Sequence, residues 1–368
     1  MTYTQLWNWF CYAPYALFVL TMLTFVVPMC RRIRAQALWA MLLLLCFSKF
    51  LVYRELGGDA FAPWLPEKVI WIWNWGYAGA CILCGLGVVT LFFRFRRKVL
   101  ILPLVAWALA AYGIWNGIKV PRVKEVTLEY ESLPAELDGY RIVQVSDLHA
   151  SSAARRWRTE QIVGRVNSLA PDLICLTGDF VDAFPDVGRR YLEPLKNLKA
   201  KDGVYAVTGN HEETHAFSSW LEWYERWHVN FLENKCVFPR KGLALGGVND
   251  IVFGNLHTMR GKTQIESAFH SATNGEFRIL MQHRPAGADE NAENAKVRLQ
   301  LSGHTHGGVF PGLSILIGKL NAGFVRGLYQ LTGDSYLYVS PGTGQWAGFP
   351  IRFFNPAEIT LLILKSKK

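Results

Sequence analysis

Five short polar clusters in the second half of the chain have the donor composition of a metal site. They are Asp147 and His149 in VSDLH, Asp179 and Asp182 in LTGDFVD, Asn210, His211 and Glu212 in TGNHEE, His283 in MQHRP, and His304 and His306 in LSGHTHGG. Carboxylate, imidazole and amide donors mixed in this way suit borderline divalent ions such as Mn²⁺, Fe²⁺ and Zn²⁺, whereas Mg²⁺ and Ca²⁺ favour all-oxygen shells. In GHTHGG the two histidines are one residue apart, so on an extended segment both rings face one spot, and the flanking glycines let the backbone approach closely. An aspartate with two oxygens can bridge two such ions roughly 3.5–4 Å apart, the geometry that clamps a phosphoryl group and generates hydroxide at neutral pH. Any one cluster alone reads as well as a turn or a buried polar residue. Five in order do not.

Each cluster follows an apolar, strand-like run. From Pro121 the segment VKEVTLEYESLPAELDGYRIVQVSDLH alternates apolar and polar residues around a Leu-Pro break and an Asp-Gly turn, which predicts two strands. RIVQVSD, the helix-like TEQIVGRVNSLAPD and LICLTGD give a βαβ pattern, and KDGVYAVTGNH adds a strand. The later runs LALGGVNDIVFGN, EFRILMQHRP, VRLQLSGHTH, SYLYVSPGTG and EITLLILK are strand-rich with fewer helices between them. The expected fold is an α/β domain whose polar residues gather at strand ends, where loops carry chemistry on a rigid scaffold.

The order DLH, GDFVD, GNHE, H, GHTH resembles the calcineurin-like metallophosphoesterases, whose pattern is DxH, GDxxD, GNH(D/E), H, GHxH, over about residues 140 to 365. The tail, GHTHGG followed by YVSPGTGQWAGFPIRFFNPAEITLLIL, is similar to the membrane-associated branch that includes YkuE-like proteins, transmembrane metallophosphoesterases and UDP-2,3-diacylglucosamine hydrolases. Val309 stands where that branch often has glutamine, a departure that concerns substrate contacts and not the metal site. The resemblance implies a four-layer α-β-β-α sandwich. It also implies that Asp147, His149 and His306 hold one divalent ion, that Asn210, His283 and His304 hold another, and that Asp179 bridges the two. His211 would then bind no metal but face the leaving-group oxygen, as general acid or as a cation, with Glu212 orienting it and Asp182 bracing the loop. The implied reaction is attack of a metal-bridging hydroxide on a phosphate ester or pyrophosphate. The alternative is a catalytically silent, metal-binding membrane sensor or scaffold, against which the retained His211 argues.

The first third of the chain has a different character. Residues 1 to 120 hold 11 Lys or Arg against 3 acidic residues, so they carry +8 of the net +10. The remainder lacks a basic face, which excludes nucleic acid as a partner. Four apolar runs, about Ala13–Met29, Ala35–Val52, Val69–Phe93 and Val99–Ile118, fit bilayer-spanning helices, which need roughly 20 largely apolar residues each. Nothing basic precedes the first and more runs follow, so it does not read as a cleavable signal. Lys49, inside the second, is expected to snorkel toward the interface. The organisation expected is therefore a four-helix transmembrane region over 1–120 and an α/β metallophosphoesterase domain over 121–368. Arginine-rich loops at Arg31, Arg32 and Arg34 and at Arg94, Arg96, Arg97 and Lys98 are cytoplasmic by the positive-inside rule, which puts the catalytic domain on the outer side of a bacterial inner membrane. A phosphorylated small molecule or a lipid-linked substrate such as UDP-2,3-diacylglucosamine fits that setting.

Other residues invite weaker readings. Of the seven cysteines, Cys11, Cys30, Cys46, Cys81 and Cys84 fall in or beside the apolar runs, leaving Cys175 and Cys236 to the later domain, so no disulfide framework is expected. The Cys81/Cys84 pair has no second pair and reads as packing. His215, His228, His257 and His270 match no motif position; of these only His215, just behind GNHE, is placed to touch substrate. Arg155, Arg156 and Arg158 read either as a receiver for an anionic headgroup or as a solvated helix start.

Overall fold

A computed structural model describes residues 3–56, 61–92, 101–151, 155–215, 217–250, 265–309, 312–346 and 348–367. The chain divides into two compact units, Met1–Gly117 with Ala347–Ile351, and Ile118–Trp346 with Arg352–Lys368.

In the first unit two helices are long and apolar enough to cross a membrane, the 22-residue run Asn8–Met29 and the 26-residue helix Glu67–Phe92. The second expected span is broken. Helices Ile33–Phe47 and Lys49–Glu55 meet at an angle of 57°, and count as a third crossing only if taken together. The break falls at Ser48, whose hydroxyl donates to the Leu45 carbonyl (2.8 Å), a bond that competes with the helix ladder. Helix Leu102–Ile118 is apolar but, at 17 residues, shorter than these candidates. The expectation of four spans thus narrows to two, or three with the bent pair, among the described residues; the basic loop at residues 94–98 lies outside them. Lys49 does not snorkel. It is 1% exposed, with Nζ 4.5 Å from the Phe50 ring centre and 5.1 Å from that of Tyr77, so its charge faces aromatic rings.

The second unit contains two six-stranded mixed sheets. The first has the order β1 (Arg122–Tyr130), β12 (Glu358–Ser366), β2 (Arg141–Val145), β3 (Leu173–Thr177), β4 (Val204–Val207), β5 (Asn230–Phe231). Its β2, β3, β4 and β5 run parallel, as the βαβ pattern predicts. The second has the order β10 (Gly327–Gln330), β11 (Tyr336–Val339), β9 (Leu299–Ser302), β8 (Phe277–Met281), β7 (Leu243–Gly247), β6 (Lys235–Arg240). Alternation along the strands divides the core. Ile142, Leu173 and Cys175 from the first sheet pack against Leu245, Ile279, Met281 and Leu301 from the second. Val143, Val145, Ile174 and Leu176, pointing the other way, meet the helices Arg156–Ser168, Pro185–Leu192 and Phe217–Arg226 through Ile162, Leu192, Trp220 and Tyr224. Ala244 and Leu280 face outward from the second sheet onto Ala268 and Phe269. β2, β3, β4, β8 and β9 are each followed closely by one of the polar clusters, so sheet pairing brings the five together.

Candidate metal centre

The loops after β2 and β3 run side by side. The amide of Asp147 donates to the Gly178 carbonyl (2.9 Å) and that of His149 to the Asp179 carbonyl (3.0 Å). The His304 amide donates to Asp147 Oδ1 (3.0 Å) and the His211 amide to Asp179 Oδ1 (2.9 Å), which joins the loops of both sheets. Asp147, His149, Asp179, His304 and His306 all have φ between 47° and 71°, the left-handed region that non-glycine residues seldom enter. Strain of this kind, of order 1–3 kcal/mol each, persists only where surroundings over-determine it and gathers at functional sites. Gly178 shows why the approach is so close: a Cβ there would stand 2.7 Å from both the Gly209 nitrogen and His283 Nδ1.

The side chains form three overlapping groups in which donor atoms lie within 4.8 Å of one another: Asp147, His149 and His306; His149, Asp179 and His211; and Asp179, His283 and His304. Asp179 and His149 are each in two. Asn210 opens the helix Asn210–Thr214 on the same rim, its Oδ1 3.4 Å from Arg284 Nη2, which also places Nη1 3.2 Å from His304 Nε2.

Outer contacts orient the rings. His149 Nδ1 donates to Asp182 Oδ1 (2.8 Å), and His283 Nδ1 donates to the Thr177 carbonyl (2.8 Å), so each turns Nε2 inward. Arg352 Nη2 donates to His306 Nδ1 (3.2 Å), and the Nε2 atoms of His149 and His306 face each other at 3.0 Å. Two nitrogens bound to one tetrahedral ion at ~2.0–2.1 Å would stand about 3.3 Å apart, so this separation fits a shared cation. The buried His283 Nε2 has no hydrogen bond, although Asp179 Oδ2 is only 3.2 Å away, the arrangement of two donors directed at a third body. On both counts the residues fit divalent ions.

His211 and Glu212 differ from the expected pairing. Asp182, not Glu212, is beside the His211 ring, with Oδ1 2.7 Å from Nδ1. Burial lowers the pKa of His211, but in the metal-free chain the carboxylates of Asp179 and Asp182 outweigh it and hold it up at about 9. Glu212 is fully buried and accepts from the amides of Gly209 (2.7 Å), Asp179 (2.8 Å), Phe180 (2.7 Å) and Val181 (3.3 Å). It fixes the Asp179 loop; a rotatable carboxylate is the one side chain able to take four converging amides there. Burial and Asp179 push its own pKa up to about 7.

His215 also departs from expectation. It is buried, stacked on His211 with ring centres 5.8 Å apart, and its Nδ1 is 2.8 Å from the His211 carbonyl, so it backs His211. His228 and His270 are exposed and remote from the clusters, and His257 lies outside the described residues. Neither reading of the arginine cluster holds for Arg158, which is buried and donates to the carbonyls of Ile118 (3.0 Å) and Thr343 (2.9 Å), while Arg156 pairs with Glu160 and Glu193. Two residues went unnoticed in the sequence: Arg284, held by Asp250 (2.8 Å), and Arg352. Arg284 directly follows His283, which was the available signal; Arg352 is 46 residues from the histidine it touches and had none.

The calcineurin-like phosphoesterase family model matches residues 140–308, which include every one of these clusters. An uncharacterized metallophosphoesterase of Helicobacter pylori is 33% identical over 261 residues, covering 69% of this chain and 67% of its own length. The chain belongs to the calcineurin-like phosphoesterases. A zebrafish (Danio rerio) relative, named transmembrane protein with metallophosphoesterase domain, is 34% identical over 279 residues, or 74% of this chain. The match spans 63% of that relative, a little under two thirds of its length. Bacillus subtilis YkuE, an uncharacterized metallophosphoesterase, is 29% identical over 256 residues, 66% of this chain and 85% of its own.

Proposed function

We propose that this chain is a membrane-anchored, two-metal phosphoesterase that hydrolyses a phosphate ester or pyrophosphate bond. The observation that carries this reading is the chain of three overlapping donor groups, linked through His149 and Asp179, in which the His211 ring is held by Asp182. Asp147, His149 and His306 would hold one ion and Asn210, His283 and His304 the other, with Asp179 common to both. Divalent ions bound there acidify water and offset phosphoryl charge. His211 stands ready to give a proton to the departing oxygen, and Asp182 keeps it charged until it does. Arg284, held by Asp250 through Nε, would position Asn210 and His304 through its two outer nitrogens. The anchor is the apolar region up to about residue 120, with the catalytic domain following it on the outer side of a bacterial inner membrane and up to four crossings before it. A lipid-linked substrate such as UDP-2,3-diacylglucosamine agrees with an anchored site.

The test is to purify the full chain in mild detergent, strip it of metal, restore Mn²⁺, and assay a phosphomonoester, a phosphodiester and a pyrophosphate-linked lipid beside Asp179→Ala. Metal-restored turnover that the variant lacks supports the proposal and names the bond class. Tight Mn²⁺ binding without turnover on any of the three favours a silent sensor instead.

A further inference from the structure

The helix Leu313–Leu320 (LSILIGKL) packs onto the His306–Gly308 turn yet leaves its apolar side chains outward: Ile315 is 67% exposed, Leu316 54% and Leu320 71%. Its seating is fixed by Gly308, at φ +79°, since a Cβ there would stand 2.6 Å from Ser314 Cα. Phe354, 80% exposed, joins the same surface across a cavity of about 450 Å³ lined by Ile315, Val325, Tyr329, Phe353 and Phe354. The floor of that cavity is Gly307 and Asn355, and Asn355 Nδ2 donates to the His306 carbonyl (2.5 Å). The cavity wall therefore includes the residue next to His306 in the chain and the side chain that holds its carbonyl. Charge around it has one sign: residues 309–332 contain Lys319 and Arg326 and no Asp or Glu, and Arg326 is itself in the cavity wall.

A short helix with exposed Ile and Leu, flanked by cations and lacking acids, is the chemistry of a segment that lies in the headgroup region of a bilayer. We infer that helix Leu313–Leu320 and Phe354 enter the membrane interface, and that the cavity beside them holds an acyl chain of a bilayer lipid. The substrate class that follows is a phosphoester carried on an acylated lipid, its phosphate reaching the metal centre past Asn355 while its chain stays in the cavity. This rests on the proposal above that the N-terminal helices keep the chain in a membrane.

The experiment reconstitutes the full chain in vesicles of phosphatidylcholine and phosphatidylglycerol that include a phosphatidylcholine with a diazirine in its acyl chain. After irradiation, labelled peptides are mapped by mass spectrometry. Label is expected on the N-terminal helices, on 313–320 and on the peptide containing Phe353 and Phe354. The double variant Ile315→Asp/Leu316→Asp should keep Mn²⁺ binding and the N-terminal label but lose about tenfold of the label at the other two places, because a carboxylate is expelled from the interface. Should that variant lose Mn²⁺, the single change Phe354→Asp makes the same comparison at the exposed ring beside the cavity. Label confined to the N-terminal helices would overturn the inference and leave the anchored-enzyme proposal standing. No label anywhere would overturn both, and label on 313–320 without Phe353 or Phe354 would remove the acyl-chain site.

Discussion

Asp182 is the residue on which the proposed chemistry turns, because one carboxylate oxygen serves both His149 Nδ1 and His211 Nδ1. Removing it should therefore act twice. Asp182→Asn is expected to weaken Mn²⁺ binding by about 10- to 100-fold through His149, the usual scale for an outer-shell partner. It should also move the alkaline limb of the pH–rate profile downward, since His211 loses a charge that raises its pKa. By contrast, His211→Ala should leave metal bound and slow turnover by about 10²-fold or more, whereas Asp179→Ala should abolish both. Equal metal loss in the His211 and Asp179 variants, by metal analysis, would refute this division of roles. Protons also couple the site to stability. In metal-free protein, burial lowers the pKa of His283, but Asp179 and Asp147 outweigh it and raise it to about 10; His211 stands at about 9. Above the unfolded histidine value, the folded state then binds more protons than the unfolded state, so stability falls as pH rises from about 7 toward 9–10. Thermal unfolding of stripped protein should show this fall, and loading with Mn²⁺ should flatten it at His283, whose ring must be unprotonated to ligate.

At the scale of elements, strands and loops depend on single side chains that secondary-structure patterns do not reveal. Glu212 satisfies four buried amides from two loops, so Glu212→Ala should cost about 3 kcal/mol or more, several unmet donors at once. A chemical-denaturation midpoint indistinguishable from wild type would contradict that role. Trp220, fully buried between helices with Nε1 donating to the Ala183 carbonyl, should cost a further class of energy, about 3–5 kcal/mol in Trp220→Ala, by leaving a cavity. The strands themselves were legible, since alternation in RIVQV and LICLT separates two buried faces. The break at Ser48 was not, because an unbroken apolar run such as Ala35–Val52 has the same composition whether its helix is straight or bent.

For the whole molecule, the expectation that can be checked most directly is topology. Reporter fusions after Val120 and within residues 94–98 should report opposite sides if the helix between them crosses the membrane. Signals on the same side would mean that Leu102–Ile118, with its 17 residues, lies along the surface or returns, and the orientation deduced from the arginine-rich loops would reverse.

The sequence by itself determined the chemistry of the donors, their order and the strand-end positions from which they project, because ligand type and strand periodicity are local properties. Family membership followed from the same residues. Tertiary structure alone decided which carboxylate serves which imidazole. Asp182 and Glu212 lie 30 residues apart in the chain and their roles relative to His211 could not be divided by spacing, since hydrogen bonds form by proximity in space. The same holds for Arg352 on His306, for the burial of Lys49 and His215, and for the outward-facing helix after GHTHGG. Composition alone does not say which apolar residues of that segment face outward; the packing leaves Ile315, Leu316 and Leu320 exposed.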